Sequence, residues 1–387
     1  MKTCLLSASF PPQRGGVGDY TCFLARALAD RGNEVTVLTA VGELDNFLYP
    51  LPSSVNVHRV VTSWGIKGLP GVLSHLRKLS PQSLLIQYVP HAFDRRGITL
   101  ALNLLPAITR AVSSIRVVAN FHELFIPFDH SLKRCLGALW QRLMAFVLAT
   151  GSHTLAVTTG EWQWRLARLG IRKGIHVIPV GSNIPLVAIN EDERRLLRRQ
   201  LLGGTDGLLL AGFGSRHDRD IPAALYGLQR LKRLGPVKLV WIGGGSPADN
   251  HRTNIEQAMR LNGLTEEDVK WTGQLPHPEV SRLLSICDLM VLPFIDGVST
   301  RRGSAVTALQ HGLPLLTTGG IRLEPWFVHR LNAYLIPAGN REALAEGLVE
   351  LALSPDLRAR LAQGARALYD AHFTWDVIAK QVESLAQ

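Results

Sequence analysis

The chain has 387 residues, 46% of them apolar and 19% charged, with a formal net charge of +11. One hydrophobic core seldom organises that length, so two domains of roughly 200 residues are expected, and the apolar share excludes a disordered chain. No apolar run reaches the roughly 18 residues of a bilayer span: residues 98–112 and 135–150 come nearest, and the second carries Gln141 and Arg142 mid-segment.

The start, MKTCLLSASFPP, lacks a cleavable signal pattern and reads as a first strand. The four cysteines, Cys4, Cys22, Cys135 and Cys287, share no metal-ligand or redox spacing, so reduced thiols and a cytoplasmic location are expected. The charge is uneven. Residues 1–186 carry 19 Lys and Arg against 9 Asp and Glu, the remainder 23 against 22. A one-sided basic half favours an anionic membrane leaflet, a lipid-phosphate acceptor or nucleic acid, unless it only serves solubility.

In chain order, residues 2–9 read as a strand, followed by a helix over 20–31 in which Phe23, Leu24, Ala27 and Leu28 recur at helical spacing. Strands follow at 34–39, 55–61, 83–88, 116–121, 154–158 and 176–179. The period restarts with strands at 208–213, 238–242, 269–272, 289–292 and 315–318, with helices between them and beyond. Apolar strands alternating with helices predict parallel sheets covered on both faces. The fold class is therefore α/β, with two doubly wound Rossmann-like domains facing across a cleft. The expected bounds are 1–186 and 187–370, with a last helix over 371–387 crossing back to the first domain. The polar stretch 190–207 marks the join.

Ligands of such sheets bind beyond the carboxyl ends of the strands, so those segments hold the candidate site. After the first strand come Gly15, Gly16 and Gly18, leading into a helix whose free N–H groups suit an anion. Their spacing does not fit the dinucleotide fingerprint, which disfavours a nicotinamide enzyme. His122 follows an apolar strand and precedes Glu123; an imidazole there would donate a hydrogen bond to a sugar hydroxyl or a leaving group. In the second half, Arg216 or Arg219, after the strand 208–213, would meet phosphate. Gly243, Gly244 and Gly245 end another strand. The segment 293–304 follows the strand 289–292 and sets Arg301, Arg302, Gly303 and Ser304 at a helix start, an anion site by charge, N–H groups and dipole together. A solvated charged loop is the alternative there.

In order, these segments resemble the retaining GT-B glycosyltransferases, family 4-like (glycosyl transferases group 1). The likeness runs from Pro11-Pro12 to Tyr20 and on through Arg31-Gly32 and Val35-Thr36-Val37, then the interdomain stretch 177–183. It continues with Trp271-Thr272-Gly273, residues 287–293, His311-Gly312-Leu313-Pro314, Gly319-Gly320 with Glu324, residues 336–340, and Phe373-Thr374-Trp375. The resemblance implies that the second domain binds a nucleoside diphosphate sugar and the first the acceptor. It puts Gly15 and Gly16 against the donor phosphates and sugar. His122 falls where the family keeps a histidine touching the donor sugar, and Arg219 near its phosphate-binding lysine. The family's two glutamates, eight positions apart, are missing: Ser299 and Thr307 hold their places, with Asp296 close enough to take the first acid's role.

The expectation is therefore transfer of a sugar, with retention, to a saccharide or lipid-linked acceptor. No cofactor and no metal are expected, since no aspartate pair has metal-binding spacing and arginines would neutralise the diphosphate. The alternatives are a nucleotide-sugar epimerase on the same fold and an inactive member serving as a scaffold. Nucleic-acid binding lacks any basic-aromatic motif.

Overall fold

The computed structural model describes residues 1–13, 15–42, 51–214, 217–244, 252–320 and 324–387. The chain forms two compact units, one of Met1–Gly181 with Trp375–Gln387, the other of Ser182–Thr374.

In the first unit the elements run β1 (Lys2–Ser7), α1 (Gly16–Asp30), β2 (Glu34–Ala40), β3 (Val55–Val61), α2 (Leu69–Leu79), β4 (Ser83–Tyr88) and α3 (Pro90–Phe93). They continue with α4 (Leu100–Val112), β5 (Arg116–Phe121), α5 (Leu132–Gly151), β6 (Thr154–Val157), α6 (Gly160–Arg168) and β7 (Ile175–Val177). All pairings are parallel, in the order β3-β2-β1-β4-β5-β6-β7. Strands in such a sheet have both faces buried, which is why β1, β4 and β5 read as nearly continuous apolar runs. Leu5, Val37, Leu85 and Val118 pack with α1, while Leu6, Leu38, Ile86 and Ala119 join the opposite core.

The second unit runs α7 (Glu191–Leu202), β8 (Leu208–Phe213), α8 (Ile221–Lys232), β9 (Val237–Ile242), α9 (Arg252–Leu261), β10 (Val269–Gly273) and α10 (His277–Ser285). It closes with β11 (Leu289–Leu292), α11 (Gly303–Gln310), β12 (Leu315–Gly319), β13 (Tyr334–Pro337), α12 (Arg341–Leu353) and α13 (Pro355–His372). Its strand order is β10-β9-β8-β11-β12-β13, the Rossmann 3-2-1-4-5-6 order. The described strands thus form two parallel sheets with alternating helices, as the sequence pattern implies.

Two details were not read from the sequence. Within the stretch 190–207, Asn190 caps α7 through Glu193 N–H at 2.8 Å, and three acids in the first turn favour its dipole. Strand β13 escapes the sequence pattern because it is four residues long, at the sheet edge, and ends in Pro337.

The last helix, α14 (Trp375–Ala386), belongs to the first unit. Its Ile378, Ala379 and Val382 share a buried core with α1 and the sheet. Arg31 ties it down through Asp376 at 2.7 Å and Glu383 at 2.8 Å. Trp375 stacks on Phe23 with ring centroids 5.5 Å apart, and Gly181 is required beneath it, since a Cβ there would lie 2.6 Å from the indole.

Candidate active site

In each sheet the strand order reverses at one point, between β1 and β4 in the first unit and between β8 and β11 in the second. The segments leaving those strands diverge and open a crevice at their carboxyl ends. The sequence-predicted residues that the structure describes lie on these segments, unit by unit.

In the second unit the chain leaves β8 through Gly214, whose φ of +94° suits only glycine without strain. A Cβ on it would sit 3.3 Å from Arg219 Nη2, so the glycine also clears room for that guanidinium. Arg219 bridges backbone to Phe294 of the loop after β11, and Asp220 N–H donates to the Pro293 carbonyl at 2.8 Å. Two segments 70-odd positions apart in sequence are thereby joined across the switch point.

The second loop is fixed by a close backbone approach. At Gly297, φ +91°, a Cβ would fall 2.2 Å from Gly320 N, and at Gly320 one would fall 2.3 Å from the Asp296 carbonyl. Only glycine fits either position. The loop therefore presents Asp296, Arg301 and Arg302 from a rigid base.

The charged groups form one cluster. Arg302 donates from Nη1 to Asp218 and from Nη2 to Asp296, and Arg219 donates from Nη1 to Asp218. Arg301 Nη2 reaches Asp296 at 3.3 Å, and Arg219 Nη2 donates to Ser304 Oγ at 2.6 Å. Phe294 lies under both Arg219 and Arg302, their guanidinium carbons 4.5 and 4.7 Å from its ring centre. The Arg302 side chain is 11% exposed, and its Nε is buried with no hydrogen-bond partner. Burial pulls Arg219 down to about 10, with the nearby Arg302 adding to the fall and Asp218 opposing it. Three guanidiniums meet two carboxylates, so the cluster keeps a formal charge of +1 at the start of α11, whose first turn no side chain caps. Asp218 and Asp296, 35% and 55% exposed, stand at its open side.

Asp296 and Arg301, Arg302, Gly303 and Ser304 are thus brought together with Arg219. Arg216 lies outside the described residues, as do Arg14 and Gly245. Sequence reading missed Asp218, although its place beside Arg219 after a strand was a usable signal. It also treated Glu324 only as a landmark; this acid is buried, with Thr300 Oγ1 3.4 Å from its Oε1. Thr307, in one missing glutamate's place, is fully buried and bonded to Ser182 Oγ at 2.9 Å. Ser299 turns its carbonyl to Arg302 N–H at 3.0 Å. Neither offers a carboxylate.

In the first unit, register places Ser7, Gln87 and Asn120 side by side on β1, β4 and β5. All three are buried, on the sheet face that packs against α1. His122 continues this polar row. Its Nε2 lies 2.8 Å from Gln87 Oε1, and Asn120 Nδ2 donates to the same oxygen at 3.0 Å. An amide oxygen only accepts, so Nε2 carries the ring proton and Nδ1 is left as an acceptor. The donor role expected for His122 therefore becomes an acceptor role at the remaining nitrogen. Burial drops the imidazole to about 3, so it is neutral at physiological pH. Tyr20 of α1 meets its ring edge-on at 4.6 Å and Trp375 at 5.2 Å, linking His122, α1 and α14 in one aromatic column. Gln87 Nε2 and Asn120 Oδ1 are buried without partners, a cost that an apolar row would avoid.

Gly15 and Gly16 open α1 at the same end of the sheet. A Cβ on Gly16 would meet nothing within 4 Å, and one on Gly15 would only touch Ser9 Oγ at 3.4 Å. Gly18 is tighter, with the Ser9 carbonyl 3.3 Å from its Cβ position. Among the described residues no group of three His, Cys, Asp or Glu side chains has metal-binding proximity.

Comparison with known proteins gives the family and the fold. Residues 14–184 match the family model Glycosyltransferase Family 4, and residues 211–354 match Glycosyl transferases group 1. With a Rossmann-like domain of the appropriate kind in each half, the chain belongs to the GT-B, family 4-like glycosyltransferases and is an enzyme of that class. No curated protein sequence matches it. Among solved structures, sucrose-phosphate synthase from Thermosynechococcus elongatus superposes with a TM-score of 0.77 at 18% identity, covering 99% of this chain and 98% of that one. Anabaena HepE, solved in complex with UDP-glucose, gives 0.68 at 16% identity over 99% and 98%. WaaG, a glycosyltransferase involved in lipopolysaccharide biosynthesis, gives 0.65 at 17% over 99% of each chain. At these identities the likeness speaks to the fold.

Proposed function

We propose that this glycosyltransferase takes a nucleoside diphosphate sugar on the Ser182–Thr374 unit and passes the sugar, with retention, to a saccharide or lipid-linked acceptor held by the other unit. The observation that carries the donor half is the Arg219–Arg301–Arg302 cluster at the sheet's switch point, against the start of α11. As the glycosidic bond breaks, negative charge grows on the leaving diphosphate. Guanidiniums and helix N–H groups aimed at that charge stabilise the transition state more than the ground state. Asp218 and Asp296 hold the arginine forks open and oriented until a phosphate takes the place of one carboxylate. In this reading Asp296 positions Arg301 and Arg302 first, and meets sugar hydroxyls only when an arginine turns to phosphate. The arginines take the part a divalent metal plays in other transferases, so turnover survives EDTA.

His122 is neutral and holds its Nε2 proton against Gln87, so it orients a sugar hydroxyl through Nδ1 rather than delivering a proton. The two unpartnered amide atoms beside it support a functional reason for this polar row. The backbone at Gly15 and Gly16 has no packing need for glycine, which supports close approach by the donor. HepE was solved with UDP-glucose, which makes UDP the first donor base to test. The excess of basic residues in the first half supports an anionic acceptor or an anionic leaflet. WaaG's part in lipopolysaccharide biosynthesis points the same way.

The test is a panel of UDP-, GDP- and dTDP-sugars, read by thermal shift and by nucleoside diphosphate release. A ligand that binds only the folded state raises the melting temperature. A donor that raises it and is turned over supports the reading. No shift and no release with any donor would sink it. The anomeric configuration of the product, read by NMR, decides retention.

A further inference from the structure

Away from the candidate active site, the first unit holds a cavity of about 240 Å³ between the carboxyl halves of α2 and α4. It sits at the amino-terminal ends of β4 and β5. The other ends of those strands lead to Gln87 and His122, so the cavity and the polar row stand at opposite edges of one sheet. Leu73 and Leu76 of α2, Val112 of α4 and Ile115 before β5 give the cavity apolar walls. Leu76 and Ile115 are buried, while Val112 is 52% exposed and marks the mouth.

One wall group is polar and unanswered. Thr109 of α4 lines the cavity and is 1% exposed, yet its Oγ1 is buried with no hydrogen-bond partner. A helical threonine ordinarily donates this hydroxyl to a carbonyl one turn back, as Thr150 of α5 does to Phe146 at 2.9 Å. Ser113 Oγ donates to the Thr109 carbonyl at 2.8 Å, which leaves the side chain as the open group. A buried hydroxyl without a partner weakens the fold, and valine would fill the same space without that cost. The threonine is therefore explained by a guest that bonds it.

Charge and size narrow that guest. Arg77 is the charged residue that lines the cavity. The carboxyl ends of α2 and α4, at Leu79 and Val112, stand beside the same space. Each helix end carries roughly half a negative charge, so the two offset about one guanidinium, and a neutral guest fits that balance better than an anion. An apolar cavity of roughly 150 Å³ takes a benzene-sized molecule, and drug-sized ligands need about 300 Å³ or more. At about 240 Å³ this one suits a single ring with a short substituent. We propose that it binds a small neutral aryl alcohol or phenol, the ring against Leu73, Leu76 and Ile115 and the hydroxyl on Thr109 Oγ1. The site stands apart from sugar transfer and rests on no part of the donor reading.

The experiment is methyl NMR of the full chain, titrated separately with benzyl alcohol, toluene and benzoate and followed at Leu76, Thr109 and Ile115. Toluene keeps the ring without the hydroxyl, and benzoate adds a negative charge. Benzyl alcohol should shift these methyls saturably, with a Kd on the order of 1 mM for so small a molecule, and benzoate should bind more weakly. Thr109→Val keeps the shape and removes the unpartnered hydroxyl, so the variant should be at least as stable as wild type. It should weaken benzyl alcohol by about three- to tenfold, the weight of one neutral hydrogen bond, and leave toluene unchanged. Val112→Trp fills the mouth from an exposed position and should abolish binding of both. No saturable shift at ten times the expected Kd overturns the proposal, as does unchanged benzyl alcohol affinity in Thr109→Val. Benzoate as the tightest of the three would overturn the neutral class, and shifts that persist in Val112→Trp would place the guest elsewhere.

Discussion

His122 Nε2 and Gln87 Oε1 lie 2.8 Å apart in a buried row, and that bond decides what the imidazole can do. The ring is held neutral with its proton committed to Gln87. A histidine kept neutral by burial weakens the fold in acid. The unfolded chain takes up a proton near pH 6.5, while the folded chain resists until about pH 3. Its contribution is fully present above pH 6.5 and is lost as pH falls from there towards 3. The expected slope is about 1.4 kcal/mol per pH unit. His122→Gln should flatten the fall of stability between pH 6 and 4 in denaturant titrations, relative to wild type. A parallel slope in the variant would show that other groups carry the acid sensitivity.

Gln87 acts through His122, so its removal should separate positioning from folding. Gln87→Leu removes the acceptor and frees the ring to adopt either tautomer. The expected result is turnover down at least about tenfold with KM for the acceptor little changed. His122 should stay well below pH 6.5 in NMR, because burial sets its depression and leucine keeps the site dry. Gln87→Glu restores an acceptor for Nε2–H, and should recover part of the activity while raising the histidine pKa. An unchanged kcat in Gln87→Leu would remove His122 orientation from the mechanism.

Both sheets were legible in the sequence because a parallel strand buried on two sides has to be apolar throughout, and runs such as Leu84, Leu85 and Ile86 announce it. The carboxyl-end loops were legible for the same reason: a glycine or arginine directly after such a run stands out. What was not legible is pairing between distant segments. Nothing in residues 217–220 says that Asp218 will meet Arg302, because that contact follows from β8 and β11 being neighbours at the switch point. Nor does His122 announce its tautomer, which depends on Gln87 standing one strand away in register. Strand β13 failed for a different reason, being too short and too close to Pro337 to show a period.

Arg302 holds two carboxylates with two separate nitrogens, a task that a guanidinium does and an ammonium does not. Arg302→Ala should cut kcat/KM for the donor by a factor of ten or more and abolish the nucleoside diphosphate thermal shift. Arg302→Lys should recover charge without geometry and regain little. The two acids left behind also repel each other, so a modest loss of stability is expected, on the order of 1–2 kcal/mol. Wild-type donor kinetics in Arg302→Ala would remove the phosphate role.

Gly297 and Gly320 offer a prediction about the fold alone. At Gly297 the backbone is left-handed and the space for a Cβ is already filled by Gly320 N at 2.2 Å. Gly297→Ala is therefore strained twice, and about 2–4 kcal/mol of destabilisation is expected. Because the loop carries Asp296, Arg301 and Arg302, donor affinity should fall with stability. Gly263→Ala shares the positive φ, at +60°, but meets open space, so it should cost only about 1 kcal/mol. Equal losses in the two variants would show that the close approach to Gly320 is not rigid.

The glycines opening α1 separate a packing role from a ligand role. Alanine at Gly16 would touch nothing, and at the first helical position it should leave stability unchanged or raise it by up to about 1 kcal/mol. Alanine at Gly15, the N-cap residue with extended φ of 168°, should cost only a few tenths of a kcal/mol. Gly18→Ala presses a methyl against the Ser9 carbonyl at 3.3 Å, so the helix gain and the squeeze should roughly cancel. If the donor approaches this backbone, Gly16→Ala should raise donor KM or lower kcat several-fold in a protein at least as stable as wild type. Gly18→Ala, one face further round, should leave donor kinetics near wild type. A Gly16→Ala enzyme with wild-type kinetics would leave Gly15 and Gly16 as loop residues, and donor contact in this unit would fall to His122 and its polar row.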